Sequence, residues 1–168
     1  QVSFLAMEDV SVPHGISLEL FWQANHDALT TLMNRRGFED QLRQAIAVDG
    51  EPDKQHTLLF IDLDRFKLIN DSGGHAAGDE FLRQIAAVLR ARVRTTDVLA
   101  RMGGDEFSVL LHACPVEQAL RIANAIRMDV SNFRFIWREK LFHVGASIGL
   151  VVLSDPAASA EEVMEQAD

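Results

Sequence analysis

Apolar residues recur along this chain in two patterns, one typical of helices and one typical of strands. Where they lie three or four residues apart, they predict helices that pack on a core through one face. Continuous or alternating apolar runs bounded by turn residues predict strands. Helices are predicted at residues 16–30, 36–48, 79–93 and 116–130, and strands at 57–64, 98–102, 106–111, 133–137 and 141–153. Ser159 and Glu162 form a capping box for one more helix.

The order of these elements predicts the fold class. Gly103 and Gly104 lie between two strand-like segments and supply the positive φ angles of a tight hairpin. A second hairpin is predicted from 133–137 and 141–153. Because hairpins impose antiparallel pairs, we expect an α+β fold with a central, mainly antiparallel sheet covered by helices. The predicted organisation is a tail of a preceding domain or a linker at 1–15, a linker helix at 16–25 and one domain at 26–168.

Composition agrees with one globular domain. The chain has 168 residues, of which 48% are hydrophobic, and its single cysteine, Cys114, excludes an internal disulfide and fits a reducing compartment. No stretch reaches the ~20 apolar residues that span a bilayer, so we predict a cytoplasmic domain without direct membrane contact. The chain begins without Met and stops inside the helical run EEVMEQAD, as expected for part of a longer protein.

The formal net charge of −9 bears on the class of ligand. Non-specific binding to nucleic acid depends on cationic contacts to phosphates, so no nucleic-acid partner is predicted. An anionic substrate would need local help, either from basic side chains and backbone N–H groups or from metal ions held by carboxylates. The excess of acidic residues favours the second alternative, metal ions held by carboxylates.

Four acids lie at the ends of predicted strands. Asp62 and Asp64 end the buried strand, and Asp105 and Glu106 occupy the glycine hairpin. If the two strands are neighbours, these carboxylates meet and offer the oxygen ligands that Mg²⁺ prefers, as in sites that bind nucleotide phosphates. Acids at strand ends are also ordinary solvated turn residues, and spacing alone leaves both interpretations open.

The segment after the first strand combines an anion site with two base-reading candidates. Backbone N–H groups near Arg65 and Phe66, where strand gives way to helix, form a nest for phosphate, and Lys67 adds a charge. Asn70 and Asp79 flank a glycine-rich turn, and a carboxylate can accept from the N1–H of guanine but finds no such donor in adenine. By themselves, these residues also fit a surface lysine, a core phenylalanine, a turn residue and a helix cap.

Several blocks of the sequence resemble one family in its own order. RMGGDEF at 101–107 resembles the RxGGDEF signature of diguanylate cyclases, the GGDEF domain family. HDALTTLMNRRGFE at 26–39 and FIDLDRFKLINDSGGHAAGDEFL at 60–82 are similar to two further family motifs, as are ASIGLV at 146–151 and the terminal AD. The resemblance covers about residues 25–168. It implies a nucleotidyl-cyclase-like fold and the condensation of two GTP into cyclic di-GMP.

The resemblance also implies a role for each matching residue. The metal ligands are Asp62, the main-chain carbonyl of Leu63 and Asp105. The catalytic residues are Asp105, Glu106 and Lys67, and the substrate-binding residues are Asn70, Asp79, Arg65, Phe66, Gly103 and Gly104. Two Mg²⁺ ions per GTP are implied, with Mn²⁺ as an alternative ion. Members work as antiparallel homodimers in which each 3′-hydroxyl attacks the partner's α-phosphate, an in-line displacement that depends on positioning and charge neutralisation.

Arg94 and Asp97 match the family's RxxD inhibitory site, where cyclic di-GMP binds. A guanidinium can hold phosphate and stack on guanine, while a carboxylate can accept from the base edge; a solvated helix end is the alternative interpretation. Thr31 and Gly73 depart from the family pattern, the first replacing a glycine and the second a frequent apolar residue. The chain also ends before the family's YxAK segment, whose lysine reaches the triphosphate.

Two other functions compete with catalysis. A regulatory domain that binds GTP or cyclic di-GMP and controls an attached EAL phosphodiesterase is the first, because FWQANHDALT and FRFIWREKLFHVGASIGLV resemble composite members with a sensor domain. The intact motif at 103–107 favours the enzyme. The second is a nucleotide polymerase or adenylyl cyclase related by fold, which the guanine-type residues Asn70 and Asp79 disfavour.

Overall fold

The structure is a computed structural model that describes residues 15–48, 54–153 and 159–167. The predicted tail, apart from residue 15, lies outside these ranges. We label the helix over residues 15–25 α1. The further elements are α2 (Arg35–Val48), β1 (His56–Asp64), α3 (Phe66–Arg90), β2 (Val98–Gly103), β3 (Glu106–Leu111), α4 (Val116–Asn132), β4 (Phe135–Trp137), β5 (Lys140–Phe142), β6 (Gly145–Leu153) and α5 (Ala160–Ala167).

The main sheet has the strand order β2-β3-β1-β6, and every neighbouring pair in it is antiparallel. Strands β4 and β5 form a separate two-stranded ribbon. Helices cover both faces of the main sheet. The predicted α+β class with a mainly antiparallel sheet is therefore confirmed.

Strand β1 is apolar along most of its length because both of its faces are covered. Leu59, Ile61 and Leu63 belong to a buried cluster with α3 and α4. Leu58 points the other way and packs with α2 and α5 in a second cluster that includes Phe38. Successive strand residues alternate between faces, so a continuous apolar run is what a doubly covered strand requires.

Helix α3 differs from the helix predicted at 79–93. It begins directly after β1 and runs from Phe66 to Arg90, with a kink at Gly74, whose φ of 80° is left-handed. The kink lies within the glycine-rich turn that the sequence predicts between Asn70 and Asp79. The helical segment after β1 and the helix predicted at 79–93 therefore form a single bent element. Its C-terminal end comes three residues earlier than predicted, and a turn follows.

Two other predicted boundaries were wrong. The first helix ends at residue 25 rather than 30, since the Asp27 carboxylate accepts hydrogen bonds from the N–H and hydroxyl of Thr30 and turns the chain. The predicted second hairpin is split. Arg138 and Glu139, both at positive φ, close the small β4–β5 ribbon, and β6 leaves it to pair with β1.

Helix α5 carries the predicted capping box. The Glu162 N–H donates to Ser159 Oγ at 3.1 Å, and the Ser159 N–H donates to Glu162 Oε2 at 3.4 Å. Arg43 of α2 donates to Glu161 at 2.9 Å and ties the two helices on this face. Within the three described ranges, no helix is long and apolar enough to cross a membrane.

Candidate functional site

Strand pairing brings the two acidic segments together. Strands β1 and β3 are neighbours, with Asp62 directly opposite Glu106. Opposed residues of an antiparallel pair project from the same face, so both carboxylates lie on the α5 side of the sheet. The Leu63 N–H donates to the Asp105 carbonyl at 3.2 Å and holds the hairpin tip against the end of β1. The predicted meeting of these acids is confirmed.

The hairpin tip has the backbone that its glycines predict. Gly103 has a φ of 152° and Gly104 a φ of 49°, and a Cβ added at either position would meet no atom within 4 Å. A left-handed residue without a side chain allows a tight turn at little conformational cost. The exposed backbone of the tip is thus open to close approach by a ligand.

A half-buried ion pair that sequence reasoning did not single out supports this hairpin. Arg101 donates to the Gly104 carbonyl at 3.0 Å and to both carboxylate oxygens of Asp27 at 3.2 and 3.3 Å. Burial acts to raise the pKa of Asp27, but hydrogen bonds from Thr30 and the charge of Arg101 outweigh it, so this pKa lies below its usual value. Asp27 belongs to the quoted block at 26–39, which was the available signal.

The acids at this end of the sheet repel one another. Burial raises the pKa of Asp62, and the negative charges of Asp105 and Asp64 raise it further. Asp64 also accepts a hydrogen bond from Ser147 at 2.9 Å. A cavity of about 410 Å³ lies beside Asp62 and Glu106, between the sheet and α5. Carboxylates held close together are a suitable place for a metal cation.

The donor set fits a hard cation that shares its ligands with a substrate. Among the residues that the structure describes, no three Asp, Glu, His or Cys side chains converge to hold a metal ion by themselves. Mg²⁺ commonly uses one or two carboxylates and completes its shell with phosphate oxygens and water. Asp62, Asp105 and a main-chain carbonyl such as that of Leu63 match this type of site.

The predicted anion nest lies at the start of α3. Arg65 has a left-handed φ of 66° and precedes the helix, which begins without a side-chain cap. The Leu68 N–H donates to the Arg65 carbonyl, while Phe66 packs against Phe81. Lys67 is exposed in the first turn. An uncapped helix N-terminus offers backbone donors and a positive dipole end to an anion.

The two candidate base-reading residues lie on either side of the kink in α3, with Asn70 half-buried and Asp79 exposed. Gly78 is essential to their arrangement, because a Cβ there would collide with the carboxamide oxygen of Asn70. Asn70 therefore packs on the backbone next to Asp79. A glycine inside a helical pattern was the signal for this close approach.

Gly73 has a structural partner that explains its small size. A Cβ at this position would lie 2.6 Å from Cβ of Ala77 and 3.1 Å from Cδ1 of Trp137. The Trp137 indole, from β4, occupies the space beside the kink. The departure from the family pattern at Gly73 is thus matched by a large side chain from a distant part of the sequence.

Arg94 and Asp97 lie together in the loop between α3 and β2, where they bind each other. Arg94 donates from Nε to Asp97 Oδ2 at 3.1 Å and from Nη2 to Oδ1 at 3.2 Å. The backbone N–H groups of Arg94 and His112 also donate to Asp97, whose side chain is 1% exposed. This carboxylate holds the loop to the end of β3.

Sequence comparisons agree with the motifs. A profile for the family described as diguanylate cyclase, GGDEF domain, matches residues 24–168. The chain is 47% identical over 166 residues to the probable diguanylate cyclase DgcE of Escherichia coli, covering 99% of this chain and 15% of DgcE. It is 39% identical over 150 residues to the bifunctional diguanylate cyclase/cyclic di-GMP phosphodiesterase MucR of Pseudomonas aeruginosa, covering 89% and 22%. It thus spans less than a quarter of either relative.

Structural comparison gives the same answer. The coiled coil and GGDEF domain of DgcB from Caulobacter crescentus, solved in complex with c-di-GMP, matches with a TM-score of 0.87 at 28% identity, covering 96% of this chain and 86% of that one. The profile match, the relative at 47% identity and the common fold lead to one conclusion. This chain belongs to the GGDEF domain family of diguanylate cyclases.

Proposed function

We propose that the chain is a catalytic diguanylate cyclase domain, which condenses two GTP into cyclic di-GMP and releases two pyrophosphate. The observation that carries this proposal is the convergence of Asp62, at the end of β1, with Asp105 and Glu106 of the β2–β3 hairpin, where burial and the neighbouring acids raise the pKa of Asp62. Carboxylates clustered in this way suit the binding of a metal-bound triphosphate.

In this proposal, one set of residues binds the metal ions and another binds the phosphate oxygens of the triphosphate. Asp62, the Leu63 carbonyl and Asp105 would hold Mg²⁺, two ions per GTP, or Mn²⁺ in its place. When bound, these ions neutralise phosphate charge and acidify the attacking hydroxyl. Lys67 and the backbone N–H groups at Arg65 and Phe66 bind phosphate oxygens.

The hairpin and the kinked helix position the rest of the substrate. The open backbone at Gly103 and Gly104 admits the nucleotide closely, and Glu106 adds a carboxylate beside it. Asn70 and Asp79 read guanine, with Gly78 giving Asn70 its place. Burial of an acceptor that adenine leaves unpaired costs about 1–3 kcal/mol, so we expect calorimetry to show a preference for GTP over ATP that Asp79→Ala removes.

Two copies are required for the complete reaction. Each domain holds one GTP, and in an antiparallel homodimer each 3′-hydroxyl faces the α-phosphate of the other molecule, so a two-fold arrangement forms both bonds. The use of GTP agrees with a cytoplasmic location. Since the relatives are much longer, we expect attached domains, with a sensor and an EAL phosphodiesterase as candidates.

Product is proposed to bind at Arg94 and Asp97. DgcB, which shares the fold, was solved in complex with c-di-GMP, and Arg94 and Asp97 match the RxxD motif of the family. In this proposal, Arg94→Ala relieves inhibition by product. The internal Arg94–Asp97 pair means that ligand must use donors that this pair leaves available.

The direct test is turnover. The purified protein is incubated with GTP and Mg²⁺, and cyclic di-GMP is sought by chromatography, with a chelator as the control. Metal-dependent product supports the cyclase. GTP binding without turnover in a dimeric preparation would instead support the regulatory alternative, in which the domain binds nucleotide and controls an attached phosphodiesterase.

A further inference from the structure

The bend in α3 lies between Asn70 and Asp79, the two residues proposed to read guanine. It is centred on Gly74, which has a φ of 80° and a ψ of 177°. The contact of Asn70 with the backbone at Gly78, next to Asp79, joins the two arms of the helix and depends on the angle between them. Because Gly73 and Gly74 have no side chains to hold this angle, contacts from another part of the fold are needed to fix it.

The β4–β5 ribbon contacts α3 on both sides of the bend. Before Gly74, the Cδ1–Nε1 edge of Trp137 faces Gly73, where a Cβ would lie 3.1 Å from Cδ1 and 3.5 Å from Nε1. After Gly74, Phe135 packs edge-to-face on Phe81, with ring centroids 5.3 Å apart and planes at 68°. A ribbon that contacts both arms of a bent helix restricts the angle between them.

The Trp137 indole is itself held in place by its neighbours. It is stacked on Phe135, with centroids 6.3 Å apart and planes at 22°. The guanidinium of Arg138 lies over the ring, 5.8 Å from its centroid. The ribbon closes directly after the indole through two residues at positive φ, Arg138 and Glu139. A half-buried ring with contacts of this kind can act as a fixed support for the helix.

Hydrogen bonding does not account for an indole at this position. Trp137 Nε1 is buried and has no hydrogen-bond partner among the described residues, although a buried indole N–H usually has one. A donor buried without an acceptor costs stability. The shape of the ring, which fills the space that Gly73 leaves, is the feature that offsets this cost.

We propose that Trp137 is a positioning residue for guanine recognition, whose indole edge against Gly73 fixes the bend of α3. The bend in turn sets the placement of Asn70 relative to Asp79. This inference rests on the proposed function, in which these two side chains bind the base. The indole acts through the helix and does not contact the nucleotide. Nucleotide selectivity then depends on a side chain of β4, outside the helix that carries the base-reading residues.

Calorimetric titration of GTP and of ATP tests this role. Trp137→Ala should weaken GTP binding about 5-fold or more, the equivalent of one hydrogen bond to the base, and should leave ATP binding unchanged, because adenine does not pair with these acceptors. Trp137→Phe keeps a ring against Gly73 and should retain most of the preference for GTP. Phe142→Ala is the matched control, since it removes a half-buried ring of the same ribbon that packs on Phe135, and it should keep the parental preference.

Gly73→Ala disturbs the same contact from the helix side and leaves the ribbon intact, so it also provides the test if Trp137→Ala does not fold. The added Cβ would lie 2.6 Å from Cβ of Ala77 and against the indole, so GTP binding should again weaken about 5-fold or more. In the double variant, the combined loss should be smaller than the product of the single losses, because both changes act on one contact. In turnover, the KM for GTP should rise while kcat stays near that of the parent.

Three outcomes would overturn the positioning role. Parental preference for GTP in both Trp137→Ala and Gly73→Ala would overturn it and leave the guanine assignment in place. Equal weakening of GTP and ATP binding by Trp137→Ala would indicate a purely structural role. A parent that binds the two nucleotides equally would refute the guanine assignment and the positioning role with it. Turnover of the parent is measured separately, so a domain that prefers GTP without cyclising it is recognised as a failure of the catalytic proposal alone.

Discussion

The two ends of the β2–β3 hairpin carry charged residues in opposite states. At the glycine tip, Asp62, Asp105 and Glu106 are brought together, and the pKa of Asp62 is raised. At the other end, Asp97 is buried against Arg94 and the His112 N–H. Acidic side chains therefore carry unbalanced negative charge at one end of the hairpin, whereas the aspartate at the other end is fully paired.

The difference shows which charges belong to folding and which to ligand binding. Paired and hydrogen-bonded charges contribute to stability, and removing one partner leaves the other unsatisfied. Unpaired like charges cost stability and persist where a ligand later supplies the opposite charge. Substitutions of the acids at the glycine tip should consequently lower the rate of catalysis. Substitutions of Asp97, at the other end of the hairpin, should lower the free energy of unfolding.

The largest effect is expected for Asp105→Ala. Loss of this proposed metal ligand should lower the rate of cyclic di-GMP synthesis about 100-fold or more, because charge neutralisation at the phosphates is lost. The midpoint of thermal unfolding should remain near that of the parent. Turnover is measured by chromatography, with Glu117→Ala in α4 as the charge-matched control. Turnover by Asp105→Ala close to that of the parent would contradict the assignment of Asp105 as a metal ligand.

Asp97→Ala should act on stability instead. Loss of its carboxylate leaves the backbone N–H groups of Arg94 and His112 without acceptors, which should lower the free energy of unfolding by about 2–4 kcal/mol. Urea denaturation measures it. Asp129→Ala breaks an exposed pair with Arg92 and should cost less than about 1 kcal/mol. Equal losses in the two variants would contradict the contrast between the sites.

A smaller change, and a gain in stability, is expected from Thr31→Gly in the loop between α1 and α2. Thr31 is exposed and has a left-handed φ of 62°, a conformation that strains a β-branched residue. Glycine should raise the free energy of unfolding by about 1 kcal/mol, with Thr31→Ala in between. Chemical denaturation of the three proteins checks the order. A destabilised Thr31→Gly would show that the threonine side chain compensates for its backbone.

The smallest effect concerns pH and Asp62→Asn in metal-free buffer. Because the pKa of Asp62 is raised by folding, the folded state holds this proton more tightly, and the parent loses stability as pH rises from the unfolded pKa near 3.8 through the raised value. Asp62→Asn does not show this loss of stability with rising pH. It should match the parent in acid and be more stable at neutral pH, by at most about 1 kcal/mol because the Asp62 carboxylate is exposed to solvent. A parent that is the more stable at pH 7 would refute the repulsion.

Much of this molecule follows from local sequence. Periodicity placed the main helices and strands, the glycine pair at 103–104 predicted the hairpin, and Ser159 with Glu162 predicted a helix start that the structure confirms. These signals succeed because a turn or a helix end is determined by a few consecutive residues. The acids of the candidate site were likewise visible as residues that follow apolar strands.

Longer-range features could not be obtained in this way. Sequence patterns predicted one continuous second hairpin, whereas β6 leaves β5 and pairs with β1. The Arg101–Asp27 pair joins residues 74 positions apart, and Trp137 fills the space at Gly73 from another element. Each depends on which strands become neighbours, which local propensity does not specify.

The sequence by itself determined the elements, their turns and the kinds of chemistry that the chain can offer. Only the tertiary structure decided which charges are free. It set Asp62 opposite Glu106 and close to the negative charges of Asp64 and Asp105, and it buried Asp97 against Arg94 and β3. The physical reason is that the state of a carboxylate depends on its neighbours in space and on its access to water, and strand pairing fixes both.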